Sequence, residues 1–317
     1  MSNYLVTGGA GFIGSNLVAE LLTQGHSVRA LDNYSTGKRH NLTAVPNLEI
    51  IEGDVTRIDD IRAAVRDVEV VFHEAAVPSV PKSIEDPLGS NRATVDGTLN
   101  VLVAAREADV RRVIFASSSA IYGDQDPALA KVETMTPQPI SPYGVAKLAA
   151  ESYCKVFYGV YGLETVALRY FNVFGPRQDP MSMYAAVVPR FITAMLANKP
   201  PTIYGDGEQT RDFTYVGNVV QGNLLAASAP IEKVGGQVIN LAAGGQTSLN
   251  SLVDMLVEVM GSNIEPIYAE ARNGDIKHSR ADISRARLLM GFEPSTTLLE
   301  GLRRTIDWYR DKHDGNQ

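Results

Sequence analysis

Tyr4-Leu5-Val6-Thr7-Gly8-Gly9-Ala10-Gly11-Phe12-Ile13-Gly14 reads as a short strand, a glycine turn and the start of a helix. Leu17, Val18, Leu21 and Leu22 follow at helical spacing. Glycines let a backbone turn tightly and approach a pyrophosphate, and the helix N-terminus then offers N–H groups and the positive end of its dipole. Gly8, Gly11 and Gly14 form a G-x-x-G-x-x-G variant of the dinucleotide fingerprint, which makes Gly8, Gly11, Phe12, Ile13 and Gly14 the candidate phosphate cradle.

The next apolar run, Val28-Arg29-Ala30-Leu31, ends in Asp32, where an acidic residue meets the ribose hydroxyls of NAD and repels the 2′-phosphate of NADP. Asn33, Ser35, Thr36 and Gly37 continue that turn, with Lys38 and Arg39 as the nearby cations. Leu48-Glu49-Ile50-Ile51, Val70-Val71-Phe72 and Arg112-Val113-Ile114-Phe115-Ala116 are further strands, separated by helical segments near Asp59–Val65 and Ala93–Arg106. Alternating strands and helices predict an α/β fold with a doubly wound parallel Rossmann sheet, whose ligands lie at the C-terminal strand ends. That puts Asp54 and Val55 near adenine, and Ala75, Ala76 and Val77 beside the middle of the cofactor. Thr94, Ser117 and Tyr170 complete the cofactor candidates. After residue 175 the alternation breaks down. Residues 1–175 are the expected NAD-binding domain, with segments near 212–240 crossing back, and 176–317 a smaller α/β substrate domain.

A second stretch carries the chemistry: Ser141-Pro142-Tyr143-Gly144-Val145-Ala146-Lys147. Pro142 suits the first turn of a helix, so Tyr143 and Lys147 lie one turn apart on one face. Ionising a free phenol at pH 7 costs about 4 kcal/mol. A cation about 4 Å away at an effective dielectric near 20 supplies about that much. Tyr143 is therefore a candidate general base with Lys147 as its activating charge. Ser117-Ser118-Ser119 stands at the end of the fifth strand, on the same ligand side.

The 317 residues carry a net charge of -7 and no long basic run, which argues against nucleic acid and against an anionic membrane surface. Cys154 is the only cysteine, and neither a leader-like start nor an apolar run of membrane-spanning length occurs, so a cytoplasmic location is expected. No metal is expected: His73-Glu74-Ala75-Ala76-Val77 begins like a zinc-protease motif, but Val77 replaces its second histidine. Ser79-Val80-Pro81-Lys82 matches an acyl-enzyme pattern without its companions.

With the glycine turn, Asp32, Ser118, Tyr143 and Lys147 in place, the chain resembles the extended short-chain dehydrogenases/reductases, and among them the nucleotide-sugar 4-epimerases. Arg169-Tyr170-Phe171-Asn172-Val173-Phe174-Gly175, Tyr204-Gly205-Asp206-Gly207, Arg211-Asp212-Phe213 and Ala281-Asp282-Ile283-Ser284 carry the resemblance almost end to end. It implies that Tyr143 takes the proton of the sugar 4-hydroxyl while hydride passes from carbon 4 to tightly held NAD. The 4-keto sugar then turns over and takes the hydride back on its other face. Ser118 matches the family's catalytic hydroxyl, with Ser119 in reserve, and Lys147 also holds the nicotinamide ribose. Asn172, Ala186, Val187, Tyr204, Arg211, Arg272 and Asp275 match the UDP-binding set, and Ser79 falls where the family contacts the sugar. Thr94 stands in place of a usual asparagine, and Pro78 in place of a lysine that some members aim at the cofactor phosphates.

Ser279 falls where epimerases restricted to glucose and galactose carry a large aromatic residue, so a small residue there implies room for a 2-acetamido group. The resemblance points to UDP-N-acetylglucosamine/UDP-N-acetylgalactosamine interconversion, with UDP-glucose or UDP-hexuronate 4-epimerisation as the alternative. Related dehydratases use an Asp-Glu pair where this chain has Ser119-Ala120. A regulatory NAD-binding protein without turnover would have no need of Ser118, Tyr143 and Lys147 together. The family also implies a homodimer, pairing the Ala93–Arg106 and Tyr143–Tyr161 helices in a four-helix bundle.

Overall fold

The computed structural model describes residues 2–42, 46–126, 128–180, 186–271 and 277–314, with side chains through Lys312. Strands β1 (Asn3–Thr7), β2 (Ser27–Asp32), β3 (Leu48–Glu52), β4 (Val70–His73), β5 (Arg112–Ser118), β6 (Glu164–Tyr170) and β7 (Gln237–Leu241) form one sheet in the order β3-β2-β1-β4-β5-β6-β7. All six pairings in it are parallel. The order reverses direction between β1 and β4, and at such a switch point a crevice opens beyond the strand ends.

The sheet is buried on both faces because its strands are nearly continuous apolar runs. Alternation sends Val6, Ala30, Phe72 and Ile114 to one face, under α1 (Phe12–Thr23). It sends Leu5, Leu31, Val71 and Phe115 to the other, under α2 (Gly97–Glu107) and α3 (Pro142–Tyr161). Phe72 and Phe115 are fully buried, each contributing about 1.5–3 kcal/mol.

The helical segment expected near Ala93–Arg106 begins earlier, at Pro87–Asn91, and passes through a wide π-type turn at Arg92–Asp96 before α2. Such turns sit where a helix must re-aim its side chains.

Beyond β6, α4 (Val187–Leu196), α6 (Leu249–Met260) and α7 (Leu298–Asp314) enclose a second core around Phe191, Ile192, Leu252, Leu256, Leu302 and Ile306. Between α4 and α6, α5 (Val216–Ser228) returns to the main sheet and packs on α1. Ser248 caps α6 by accepting from the Ser251 N–H, and Gly261 ends it in the left-handed region. The remaining strands of this half are pairs of two or three residues.

Candidate active site

Gly8 adopts φ +69°, and a Cβ there would lie 2.7 Å from the Ala75 nitrogen. A Cβ on Gly14 would lie 2.3 Å from the Gly8 carbonyl oxygen. The turn can close only without side chains at these two positions. Gly11 caps α1 with no side-chain hydrogen bond, and the first turn holds no acidic residue, so its N–H groups and positive dipole end are left to a ligand. The cradle fits a dinucleotide pyrophosphate.

Asp32 is drawn further inward than a strand-end residue in solvent. Its carboxylate accepts the Ala10 N–H at 2.9 Å and the Tyr34 N–H at 2.8 Å. Burial raises its pKa, and these two bonds oppose the rise. Asn33 turns its amide to Asp54 at 2.8 Å while its carbonyl oxygen accepts the Ser35 N–H, and Gly37 packs against the Asp32 carboxylate. Thr36 is exposed on the same bend. Val55 is covered by Gly97.

At the β4 end His73 is fully buried, yet both ring nitrogens are satisfied. Thr98 Oγ1 donates to the Thr94 carbonyl, so it accepts from His73 Nε2, and Nδ1 is left to accept from Thr7 Oγ1 at 2.7 Å. Burial, with Lys147 nearby, pushes His73 down to about 3, so it is a neutral spacer whose two ring nitrogens are taken up by threonine hydroxyls. Thr94 itself is buried, and its hydroxyl has no partner. Ala75, Ala76 and Val77 follow as half-buried backbone.

The expected catalytic residues Ser118, Tyr143 and Lys147 come together at the β5 end. Ser141 caps α3 by accepting from the Gly144 N–H, with Pro142 in the first turn. Burial raises the pKa of the Tyr143 phenol and Glu74 adds to the rise, while the neighbouring Ser118 hydroxyl opposes it; Ser118 Oγ itself accepts the Ala120 N–H at 3.1 Å. Lys147 Nζ donates to the Ala116 carbonyl at 2.6 Å and lies 5.9 Å from the Tyr143 ring centroid. Its charge is therefore anchored on the strand. Burial pushes Lys147 down to about 8, which still leaves it mostly cationic at pH 7.

Several candidates serve the scaffold as well. Ser117 is 3% exposed and donates its hydroxyl to Glu151 at 2.9 Å, so a cofactor would meet its backbone. The Tyr170 hydroxyl lies 2.8 Å from Glu74 and accepts from Asn223. Ser79 caps the Val80–Glu85 helix, accepting from the Lys82 N–H. Ser119 is half-buried in the turn after Ser118.

On the second half, Asn172 takes φ +32° and its carbonyl accepts the Thr214 N–H. Ala186 and Val187 open α4 without a side-chain cap. Tyr204 stands in the first of the short strands, Arg211 donates to the Thr210 and Lys277 carbonyls, and the Ser279 N–H reaches Thr210 at 3.1 Å. Arg272 and Asp275 lie outside the described residues.

The sequence reading overlooked three carboxylates. Glu74, at the very end of β4, was visible only as part of the broken zinc motif, and burial pushes it up to about 7. Glu151 follows Lys147 by one helical turn, a spacing that could have identified it. Asp212 is fully buried and accepts N–H groups from Ala243, Gly244 and Ala281, tying Arg211 to the segment that carries Ser279.

Known proteins are similar to this chain over almost its whole length. The UDP-N-acetylglucosamine 4-epimerase of Methanobrevibacter ruminantium, solved with UDP-N-acetylmuramic acid, is 43% identical and superposes with a TM-score of 0.93 over 98% of this chain and 99% of that one. The UDP-glucuronic acid 4-epimerase of Bacillus cereus, solved with UDP-glucuronic acid and NAD, is 33% identical, with a TM-score of 0.89 over 98% and 99%. A UDP-glucose 4-epimerase of Mycolicibacterium smegmatis is 39% identical over 97% of this chain and 98% of its own length. The profile of the NAD dependent epimerase/dehydratase family matches residues 4–242. With a glycine cradle and a Ser118-Tyr143-Lys147 cluster in one Rossmann sheet, the chain belongs to the NAD-dependent epimerase/dehydratase family.

Proposed function

We propose that the chain is a 4-epimerase of UDP-sugars, interconverting UDP-N-acetylglucosamine and UDP-N-acetylgalactosamine through a 4-keto intermediate. The observation that carries it is the placement of Ser118 at the end of β5 beside Tyr143 and Lys147, one turn apart on α3, with Lys147 anchored on the Ala116 carbonyl. Bound NAD supplies reversible hydride transfer at carbon 4 of the sugar.

Tyr143 receives the 4-hydroxyl proton and returns it to the turned-over ketone. Ser118 donates to the 4-oxygen, and the Lys147 cation favours the phenolate that forms. Gly8, Gly11, Phe12, Ile13 and Gly14 hold the pyrophosphate, and Asp32 meets the adenosine ribose. NAD is favoured over NADP because the Asp32 carboxylate would repel a 2′-phosphate; the nearby cations Lys38 and Arg39 pair with Asp179 at 3.2 Å and Glu52 at 2.5 Å. Residues 1–175, with 212–240 crossing back, hold the cofactor, and 176–317 the nucleotide.

The acetamido preference rests on Ser279. It is half-buried, sits beside Arg211 through the Thr210 contact, and adds little bulk to the wall it occupies. Dimerisation through α3 is supported by Val145, Val156 and Val160, which lie along one side of that helix and are 54%, 49% and 68% exposed.

The test is a panel of UDP-glucose, UDP-N-acetylglucosamine and both matching uronic acids, run with purified protein and no added cofactor. Formation of the 4-epimer of the acetamido sugar supports the whole reading. Turnover of only the plain or carboxylated sugars contradicts the role given to Ser279. Net NADH with no epimer contradicts epimerisation altogether.

A further inference from the structure

Beneath the reactive residues lies an ion pair that the chemistry above does not use. Glu151 on α3 is 5% exposed and Arg169 on β6 is 3% exposed. They meet in a bidentate bridge, Nη2 to Oε1 at 2.6 Å and Nε to Oε2 at 3.0 Å. Oε2 also accepts the Ser117 hydroxyl. A buried pair of this kind is weak evidence for stability, because desolvating both charges offsets their attraction and an apolar pair of similar volume often does as well. Its position suggests what it contributes instead.

Three consecutive residues of β5 are gripped by three residues of one helix. The Ala116 carbonyl accepts from Lys147, the Ser117 hydroxyl donates to Glu151, and the Ser118 hydroxyl neighbours Tyr143. Two of these contacts involve groups that must change protonation state or partner during turnover. Glu151 alone is fixed, locked from behind by Arg169, whose guanidinium also stacks on Tyr122 at 4.6 Å. The Tyr122 hydroxyl donates to Asn240 at 2.7 Å, and Asn240 in turn donates to the Lys131 and Asp282 carbonyls.

We infer that Glu151 and Arg169 are positioning residues: their ion pair sets the height of α3 on β5 and so fixes where Tyr143 and Lys147 stand relative to Ser118 at the strand end. The inference rests on the epimerase reading for its kinetic consequence but not for its structural one. A misplacement of about 1 Å in such a site costs about a hundredfold in rate. The pair touches neither substrate nor cofactor, so it acts on rate and on the phenol rather than on binding.

The experiment compares the native chain with the apolar exchange Glu151→Leu/Arg169→Met and with the milder Ser117→Ala. Three quantities are read: kcat and KM for the UDP-sugar, the tyrosinate titration assigned by difference against Tyr143→Phe, and the melting temperature. The expected result for the apolar pair is a fall in kcat of about ten- to a hundredfold, KM within about threefold, and a Tyr143 titration moved up by about one pH unit. Ser117→Ala should move kcat and the titration in the same direction by less. A native kcat and an unmoved titration in either folded variant would overturn the inference, even with a lower melting temperature. The titration needs no turnover. If the native chain epimerises none of the UDP-sugars, the functional reading fails while the positioning claim is still decided.

Discussion

Ser118, Tyr143 and Lys147 are held by the end of one strand and the first turns of one helix, over a buried Ser117–Glu151–Arg169 network. Tyr204, Arg211 and Ser279 are held by strands of two or three residues and by loops, with Asp212 as their main internal anchor. The first arrangement fixes reacting atoms by several independent contacts. The second is attached to the rest of the chain by a few backbone hydrogen bonds, and its shape can change without disturbing the first. One scaffold can therefore keep its reaction while its substrate varies, as its acetamido-, glucose- and glucuronate-named relatives suggest.

Mutations at the two places should separate rate from choice of substrate. The largest effect is expected from Tyr143→Phe, which removes the proton carrier: kcat should fall by about 10²–10⁴ while NAD content stays native, measured by epimer formation and by cofactor released on denaturation. A nearly active variant would show that the general base lies elsewhere. Gly14→Ala comes next, because its Cβ would lie 2.3 Å from the Gly8 carbonyl oxygen. It should lower stability by about 1–3 kcal/mol and empty the cofactor site, read by melting and by NAD content. Retained cofactor at native stability would remove the cradle argument.

Ser279→Tyr should act on the other side of the comparison. Rebuilding the wall should cost about 1–3 kcal/mol with the acetamido sugar and little with UDP-glucose, seen as a change in the ratio of their kcat/KM values. An unchanged ratio would place the specificity wall elsewhere.

The smallest effect concerns Glu74, whose carboxyl burial pushes from 4.5 up to about 7. A raised carboxyl pKa means the folded state holds a proton that the unfolded state releases, so stability falls as pH rises from about 4.5 to 7. Glu74→Gln should leave the melting temperature unchanged at pH 4 and raise it at pH 8. Equal shifts at both would show that the carboxyl is not the source.

How much of this was legible beforehand follows the same division. The glycine turn, Asp32 and the Tyr143–Lys147 spacing depend on local backbone geometry, so they could be read from neighbouring residues. The doubly wound parallel sheet followed from the alternation of strands and helices, but its seven-strand order, with Gln237–Leu241 pairing at the edge beside β6, did not, because it depends on partners distant in sequence. Glu151 with Arg169, Asp212 with Ala281, and Glu74 with Tyr170 pair across 18, 69 and 96 positions, and no local pattern announces such partners. The Lys147–Ala116 contact was hidden for the same reason: helical spacing placed the lysine on the correct face but could not say which acceptor would take its proton.

The most direct test of the central claim is to supply UDP-N-acetylglucosamine carrying deuterium at carbon 4 and follow both epimers in ordinary water. A 4-keto route in which the same hydrogen leaves and returns predicts that the label stays on carbon 4 of the product, on the opposite face. Replacement of the label by solvent hydrogen at that carbon, at the rate of epimer formation, would contradict the account and point to proton abstraction instead.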